Sequence, residues 1–454
     1  MNSYKGSQFN LFIPVDDSEE EYLIFNTLLG SEVVVDKHLA ALIERGRSSK
    51  EPSSHSLSPS DRSNLEQLRE LGIIVDEYVD EERELEYWFQ RIKFDTSILA
   101  VTILPTLACN LRCSYCLQDD LKATDLSMDQ ETCRLVAAWV QKKMEEIRPR
   151  ILKIVYYGGE PLLGLPTIYN LSRTLHEAAL AKGIALEIQI VTNGVLLTEE
   201  LVDSLLPLGL SGIKITLDGD EESHNRKRPF KGGGGSFTQI LNNLIRVSGR
   251  VPVRIGGNFD EENKTSIPAL LDRLLRAGLQ DKIEQVHFKP IFTSLASRKK
   301  NLAGGLCQIC TFSEVSPKDI LWLRKEIEIR GFKPNQGIAL GPCSVFREHS
   351  YTIDPGGRIY KCGGFAGIEE FAVGDIRTET FNYRMTEFMT ADIWKRCRGC
   401  AYIPLCGGGC RYSAFLKGGD FLKPACERRY FEQVAIPLIR EEYVRSFGRG
   451  GEKV

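Results

Sequence analysis

The sequence predicts an α/β protein built on a parallel sheet that is covered by helices and closed or partly closed into a barrel, between a small N-terminal unit and a cysteine-rich C-terminal one. Three observations carry this reading. Six short β-rich runs follow one another from residue 98, "ILAVTILPT", "ILKIVYYG", "ALEIQIVTN", "SGIKITLDG", "VPVRIGGN" and "IEQVHFKPI", with amphipathic helical stretches between most of them; that alternation is βα repetition. The runs are near-continuously apolar, as strands covered on both faces are. Beyond about residue 300 the alternation gives way to turns and cysteines, including "CRGCAYIPLCGGGC" from Cys397 to Cys410.

Taken in order, residues 1–92 hold two expected strands, "FNLFIPV" and "EYLIFNTL", and a helix, "DKHLAALIERG", closed by a glycine. A Ser/Pro-rich loop, "RSSKEPSSHSLSPS", has too little apolar content to pack, and "SPSDRSNLEQLRELGIIVDE" reads as a second helix running into a short strand. Short strands around two helices suggest a winged-helix-like module, and "EERELEYWFQRIKF" a connecting helix. The barrel is expected over 93–300. Its first helix, "SMDQETCRLVAAWVQKKMEEI", opens with the capping-box pattern Ser127 to Gln130, and "TEELVDSLLPLG" is another. Residues 301–454 form the third unit, whose tail "RRYFEQVAIPLIREEYVRSF" reads as a closing helix kinked or broken at Pro437. No repeat of fixed period is found.

At 454 residues and 42% hydrophobic content the chain can bury a large core in two or three domains. With 58 basic against 61 acidic residues the net charge is −3, which gives no field suited to nucleic acid or anionic lipid. No apolar run approaches the roughly 18 residues of a membrane span, and the first residues lack a secretory signal pattern. A cytoplasmic location is expected, where thirteen cysteines point to metal or redox chemistry rather than to disulfides. Cys133, alone in "DQETCRLVAAW", reads as a small apolar helix residue.

Barrels of this kind place their active sites at the C-terminal strand ends, where "PTLACNLRCSYC", "YYGGEPLL", "VTNGVLL" and "TLDGDEESHNRKRP" fall. Cys109, Cys113 and Cys116 follow the first strand as C-x3-C-x2-C. Three thiolates on one tight loop can hold three irons of a [4Fe–4S] cube and leave the fourth iron open; the other reading is a zinc site short of one ligand. "CNLRCSYC", with an aromatic residue before its third cysteine, resembles the defining motif of the radical S-adenosylmethionine (SAM) enzymes, over residues from about 98 to about 430. The resemblance implies a partial (β/α)6 radical SAM barrel in which SAM chelates the open iron and yields a 5′-deoxyadenosyl radical. "YYGGEP" is similar to the glycine-rich element that meets the methionine amino group, at Gly158, Gly159, Glu160 and Pro161. "VTNG", "TLDG" and "HNRKR" resemble later strand-end elements, which implies SAM contacts from Asn193, Thr216 and Arg228. Thr216 stands where serine is more usual and keeps the hydroxyl; Arg228 read without the family is a surface arginine. Tyr115 matches the aromatic position beside the adenine.

The later cysteines resemble the SPASM extension of these enzymes, which carries two auxiliary [4Fe–4S] clusters, so three clusters and SAM are the implied cofactors. By that resemblance Cys397, Cys400, Cys406 and Cys426 enclose one auxiliary cluster, and Cys343, Cys362 and Cys410 hold the other. An eighth cysteine is missing from "NQGIALGPC". Either Cys307 or Cys310 of "GGLCQIC" closes the site, or its iron is open to a substrate thiolate, or those two are loop thiols. Members of this type mostly modify peptides or proteins. The expected function is maturation of a ribosomal precursor peptide by a thioether or carbon–carbon crosslink, with the leader docked on the N-terminal module and electrons from a flavodoxin or ferredoxin. That module also reads as a cap on the barrel or a dimerisation element. The alternative is an anaerobic sulfatase maturase forming formylglycine; its branch uses an aspartate directly after the cysteine matched by Cys362, where this chain has Gly363. A non-catalytic iron–sulfur relay would need no "GGEP".

Overall fold

A computed structural model describes residues 4–45, 59–116, 118, 125–291, 317–335 and 341–447. Cys307, Cys310 and residues 47–58 of the Ser/Pro-rich loop lie outside the described residues, and the loop's last two residues, Pro59 and Ser60, instead open a helix.

The N-terminal unit opens with β1 (Tyr4–Gly6), β2 (Asn10–Pro14), β3 (Glu21–Asn26) and β4 (Glu32–Asp36), continues with α1 (Lys37–Arg45) and α2 (Pro59–Glu70), and closes with β5 (Ile74–Asp76). β2, β3 and β4 form an antiparallel meander, and β1 pairs with β5. The sequence signals missed β4, "EVVVD", which is only five residues long. Side chains alternate across a strand, so the adjacent, fully buried Leu23 and Ile24 face opposite ways. Ile24 packs with Val35, Ile43 and Leu68 under the helices. Leu23 packs with Leu11 and Ile13 on Tyr402, Leu405 and Phe431 of the cysteine-rich region. The meander is therefore sandwiched, and Thr27 Oγ1 ties it down by donating to the Ala401 carbonyl at 2.5 Å.

The connecting helix α3 (Glu81–Lys93) is capped by Asp80, whose carboxylate accepts from Arg83 N at 3.2 Å. Its Phe89 stacks on Trp394 with ring centroids 4.4 Å apart.

Then come the six expected strands, β6 (Ile98–Ile103), β7 (Ile151–Tyr156), β8 (Ala185–Thr192), β9 (Leu210–Thr216), β10 (Val253–Phe259) and β11 (Ile283–Pro290). They pair in chain order and all in parallel. The crossovers contain α4 (Gln130–Ile147), α5 (Leu165–Ala181), α6 (Glu199–Leu205), α7 (Glu221–Lys227), α8 (Phe237–Val247) and α9 (Ile267–Arg276). α4 does not use the expected capping box. Asp129 is the cap, accepting from Thr132 N at 2.7 Å, while Ser127 Oγ bonds Thr106 Oγ1 at 2.8 Å and ties the strand-end loop.

The sheet does not end with the barrel strands. β12 (Ser350–Ile353) adds parallel to β6, and β13 (Arg358–Tyr360), β14 (Gly374–Asp375) and β15 (Thr380–Phe381) continue antiparallel, so the sheet has ten strands with β11 and β15 as its ends. Without β12 the β6 edge would expose unpaired backbone groups. The barrel is thus partial: among the described residues no ladder joins β11 to β6.

The barrel strands are also less uniform than their apolar look suggested. Ile188, Ile190, Ile213, Ile215 and Val286 are fully or almost fully buried in the core shared with the helices. The intervening Val191, Lys214, Thr216, His287 and Lys289 instead line an internal cleft. Near Pro437 the closing helix is neither broken nor plainly continuous: a π-helical stretch, Phe431–Ala435, leads into the helix Ile436–Phe447. The wider turn accommodates a residue without an N–H.

Candidate functional site

The cysteine loop after β6 is held by its neighbours' backbones. Arg112 N donates to Pro229 O at 2.9 Å, Ser114 N to Lys227 O at 3.0 Å, and Lys231 N to Asn110 O at 2.9 Å. On the other side Gly159 N donates to Thr106 O at 3.1 Å and Glu160 N to Ala108 O at 2.8 Å. That approach requires glycine, since a Cβ at Gly159 would overlap the carbonyl oxygens of Leu107 and Ala108. Cys109, Cys113 and Cys116 line one cleft together with Tyr115, Gly158, Gly159, Asn193, Thr216 and Arg228. Its atom-free volume, open mouth included, is about 1060 Å³.

Glu160 and Pro161 stand behind this wall. The Glu160 carboxylate is fully buried and accepts from Leu162 N at 3.1 Å, Thr192 Oγ1 at 2.7 Å and Asn193 N at 2.8 Å. Burial pushes its carboxyl up, against those three hydrogen bonds. It braces the end of β7 against the end of β8, and so sets Asn193, whose Nδ2 reaches Asn110 Oδ1 at 2.7 Å and Cys109 Sγ at 4.0 Å.

Tyr115 and Arg228 belong to a buried network that the motifs did not reveal. Tyr115 OH donates to Asp218, and accepts from Arg228 Nη1 at 2.7 Å and Asn258 Nδ2 at 3.0 Å. Asp218 is fully buried, accepts from Asn258 N at 2.7 Å and lies 3.7 Å from Arg228 Nη1. Arg228 is 8% exposed, so it is no surface arginine. Burial pulls its guanidinium down, but the neighbouring Cys113, Tyr115 and Asp218 outweigh that and hold it charged. Burial likewise holds the Tyr115 phenol well above its ordinary value, with Asp218 adding to the effect. The sequence signal for Asp218 was "TLDG", a strand-end element whose acidic residue went unread.

The site fits the cofactors it resembles a holder for. Arg228 Nε and Gln118 Nε2 are buried and have no hydrogen-bond partner among the described residues, although buried polar groups normally have one. Both residues line the cleft, so a ligand with acceptors would complete them. Three thiolates of one loop suit a cube, which takes one thiolate per iron. Among the described residues no three His, Cys, Asp or Glu side chains gather about a single ion, which is a different requirement.

The seven described cysteines from Cys343 to Cys426 fall into two neighbourhoods. Cys397, Cys400, Cys406 and Cys426 line one hollow beside Tyr402 and Phe431. Burial raises the Cys397 thiol, and the adjacent Cys400 and Cys426 raise it further. Burial pushes the Cys362 thiol up to about 12, with Cys343 and Cys410 contributing. The glycines between Cys406 and Cys410 permit this arrangement: Gly409 has φ 81°, and a Cβ there would overlap the Ala425 carbonyl just before Cys426. Arg411, 2% exposed, feels cysteines of both groups, Cys410, Cys406, Cys343 and Cys397, and donates to the carbonyls of Gly408, Gly409, Phe421 and Lys423. Cysteine counting gave no hint of it.

Residues 103–274 match the radical SAM superfamily. A PqqA peptide cyclase of Rhodopseudomonas palustris is 24% identical over 350 residues, 72% of this chain and 86% of its own. A cysteine-type anaerobic sulfatase-maturating enzyme of Clostridium novyi is 23% identical over 343 residues, 69% of this chain and 88% of its own. Among solved structures, Streptococcus suis SuiB bound to the precursor peptide SuiA is 14% identical with a TM-score of 0.51, covering 94% of this chain and 99% of that one. This last likeness concerns the fold.

Proposed function

We propose, from the premise that the chain is a radical SAM enzyme of the peptide- and protein-modifying kind, that it matures a ribosomally made precursor peptide by a thioether or carbon–carbon crosslink. The observation that carries the reading is the cleft itself, where three loop cysteines, a glycine wall and an incompletely bonded buried arginine meet. Cys109, Cys113 and Cys116 would hold a [4Fe–4S] cluster, which together with SAM would supply radical chemistry at this cleft.

The chain's own residues do the rest. Gly158 and Gly159 keep the loop tight, and Glu160 and Pro161 brace it from behind. Asn193, Thr216, Arg228 and Tyr115 orient the cofactor, with Asp218 and Asn258 fixing Tyr115 and Arg228. Cys397, Cys400, Cys406 and Cys426 would hold one auxiliary cluster, and Cys343, Cys362 and Cys410 another, which would supply an electron acceptor or an open iron for a substrate thiolate. A flavodoxin or ferredoxin is the electron source.

The N-terminal unit is proposed to bind the leader by strand addition. β4 ends its meander, and an end strand offers free backbone groups to an extended peptide. Gly363 after Cys362 favours this reading over formylglycine synthesis, because glycine has no side chain to serve as a base. The sulfatase-maturing relative supports that second reading.

The test is anaerobic reconstitution with SAM and dithionite, offering leader-bearing precursor peptides and, separately, a cysteine peptide of sulfatase type. A mass loss of two hydrogens in a precursor supports the proposal, and formylglycine in the sulfatase peptide supports the second reading. No 5′-deoxyadenosine with any peptide would sink both.

A further inference from the structure

The half of the cleft formed by β9, β10 and β11 carries charge that the site has not used. Lys214 and Lys289 line it, beside His287, Gly256 and Asn258. The Lys214 chain lies across Gly256, where a Cβ would overlap its Cε. Among the described residues neither lysine has a hydrogen bond or ion pair; the acidic neighbour that Lys289 feels is Asp218, already engaged with Tyr115, Asn258 and Arg228. Burial pulls both ammonium groups down from the ordinary lysine value, and for Lys214 the nearby Lys289 adds to this. His287 is driven to about 4 by burial and by Lys214, so it is neutral at pH 7 and adds no charge. Three cationic side chains, Lys214, Lys289 and Arg228, thus line a cleft that has no Asp or Glu among its lining residues.

Two half-buried ammonium groups lining one cleft are costly unless an anion joins them. Bound as the resemblance implies, SAM would have its own carboxylate on the open iron and so not free to join them.

We propose that Lys214 and Lys289 form a subsite for a substrate carboxylate, an aspartate or glutamate side chain of the peptide, and so select the residue presented to the radical. The inference rests on the peptide-modifying reading and names its substrate class. A carboxylate between two ammonium groups makes charge-assisted hydrogen bonds, and an amide of the same shape cannot match them.

The experiment is equilibrium dialysis of the cluster-loaded, SAM-bound protein against two labelled probes, acetyl-Gly-Asp-Gly-amide and acetyl-Gly-Asn-Gly-amide. The aspartate probe should bind roughly tenfold or more tightly than the asparagine probe. K214Q and K289Q should each erase that preference with SAM affinity unchanged, and K289R should keep it. Equal retention of the two probes by the unsubstituted protein overturns the inference. So does a tenfold loss of SAM affinity in both glutamine variants, which would assign the lysines to SAM's own carboxylate. Dialysis needs no turnover: a protein that binds the aspartate probe but forms no 5′-deoxyadenosine sinks the enzymatic reading and leaves the subsite standing.

Discussion

Gly159→Ala isolates the mechanical link between the glycine wall and the cysteine loop. Gly159 does not have a positive φ, so alanine is acceptable to the backbone and the perturbation is steric. Its new Cβ would overlap the carbonyl oxygens of Leu107 and Ala108, one and two residues before Cys109. Removing the overlap requires a retreat of about 1 Å, and a misplacement of that size can cost a reaction about 100-fold. The retreat also stretches the bonds Gly159 N to Thr106 O and Glu160 N to Ala108 O, each worth about 1 kcal/mol. The expected variant folds, holds less iron and sulfide on its first loop, and forms 5′-deoxyadenosine about 100-fold more slowly. The assay pairs iron and sulfide content with the electron paramagnetic resonance signal of the reduced protein and the rate of SAM cleavage. Gly232→Ala is the control, because its added Cβ meets nothing within 4 Å. A Gly159→Ala protein with full iron content and an unchanged cleavage rate would refute the claim that this contact sets the loop.

Three further outcomes are expected. Val34 lies opposite Leu23 in the meander, and the bonded pair Asn26 N to Ser31 O sets the alternation that points the Val34 N–H away from β3. V34P should therefore spare the meander yet cut leader-dependent turnover at least roughly tenfold, with leaderless peptide turnover unchanged; equal loss on both substrates would place leader binding elsewhere. Burial drives His224 to about 3 and His287 to about 4. The unfolded chain, with ordinary histidines, binds protons that these sites refuse, so their contribution is complete above pH 6.5 and shrinks as pH falls toward 4. At pH 5 about 2 kcal/mol is lost per histidine, and H287Q should make the drop in urea midpoint between pH 7.5 and pH 5 smaller; an unchanged drop contradicts the assignment. Arg411→Lys cannot span the four carbonyls that the guanidinium serves. It should lower iron bound by the C-terminal cysteines while leaving SAM cleavage in place, and a full iron complement would show that Arg411 does not organise them.

Much of this molecule is written in short segments. Six strands with helices between them emerge from runs of six to eight residues, because a parallel strand's apolar character is local. Cys109, Cys113 and Cys116 announce themselves because a cube needs several thiolates within one loop. The weak places have equally physical causes. β12, of four residues, is too short to show a period. Ser127 matched a capping pattern but is engaged by Thr106, and Asp129, nearer the helix, caps it.

Chain-adjacent chemistry was thus legible: the order of the strands, the cysteine spacings, the glycine pair and the turn-rich C-terminal third. What brings Tyr115 to Asp218, 103 residues away, and to Asn258, 143 residues away, is the pairing of β6 through β11 in one sheet. The same pairing gathers Lys214, His287 and Lys289, which in their own strands look like ordinary polar positions. A single residue in a strand carries no record of what stands beside it across the sheet. The charge of the cleft, the placing of Arg411 near cysteines of both groups and the seating of the N-terminal meander on the cysteine-rich region all arise from contacts between distant segments, which no local pattern encodes.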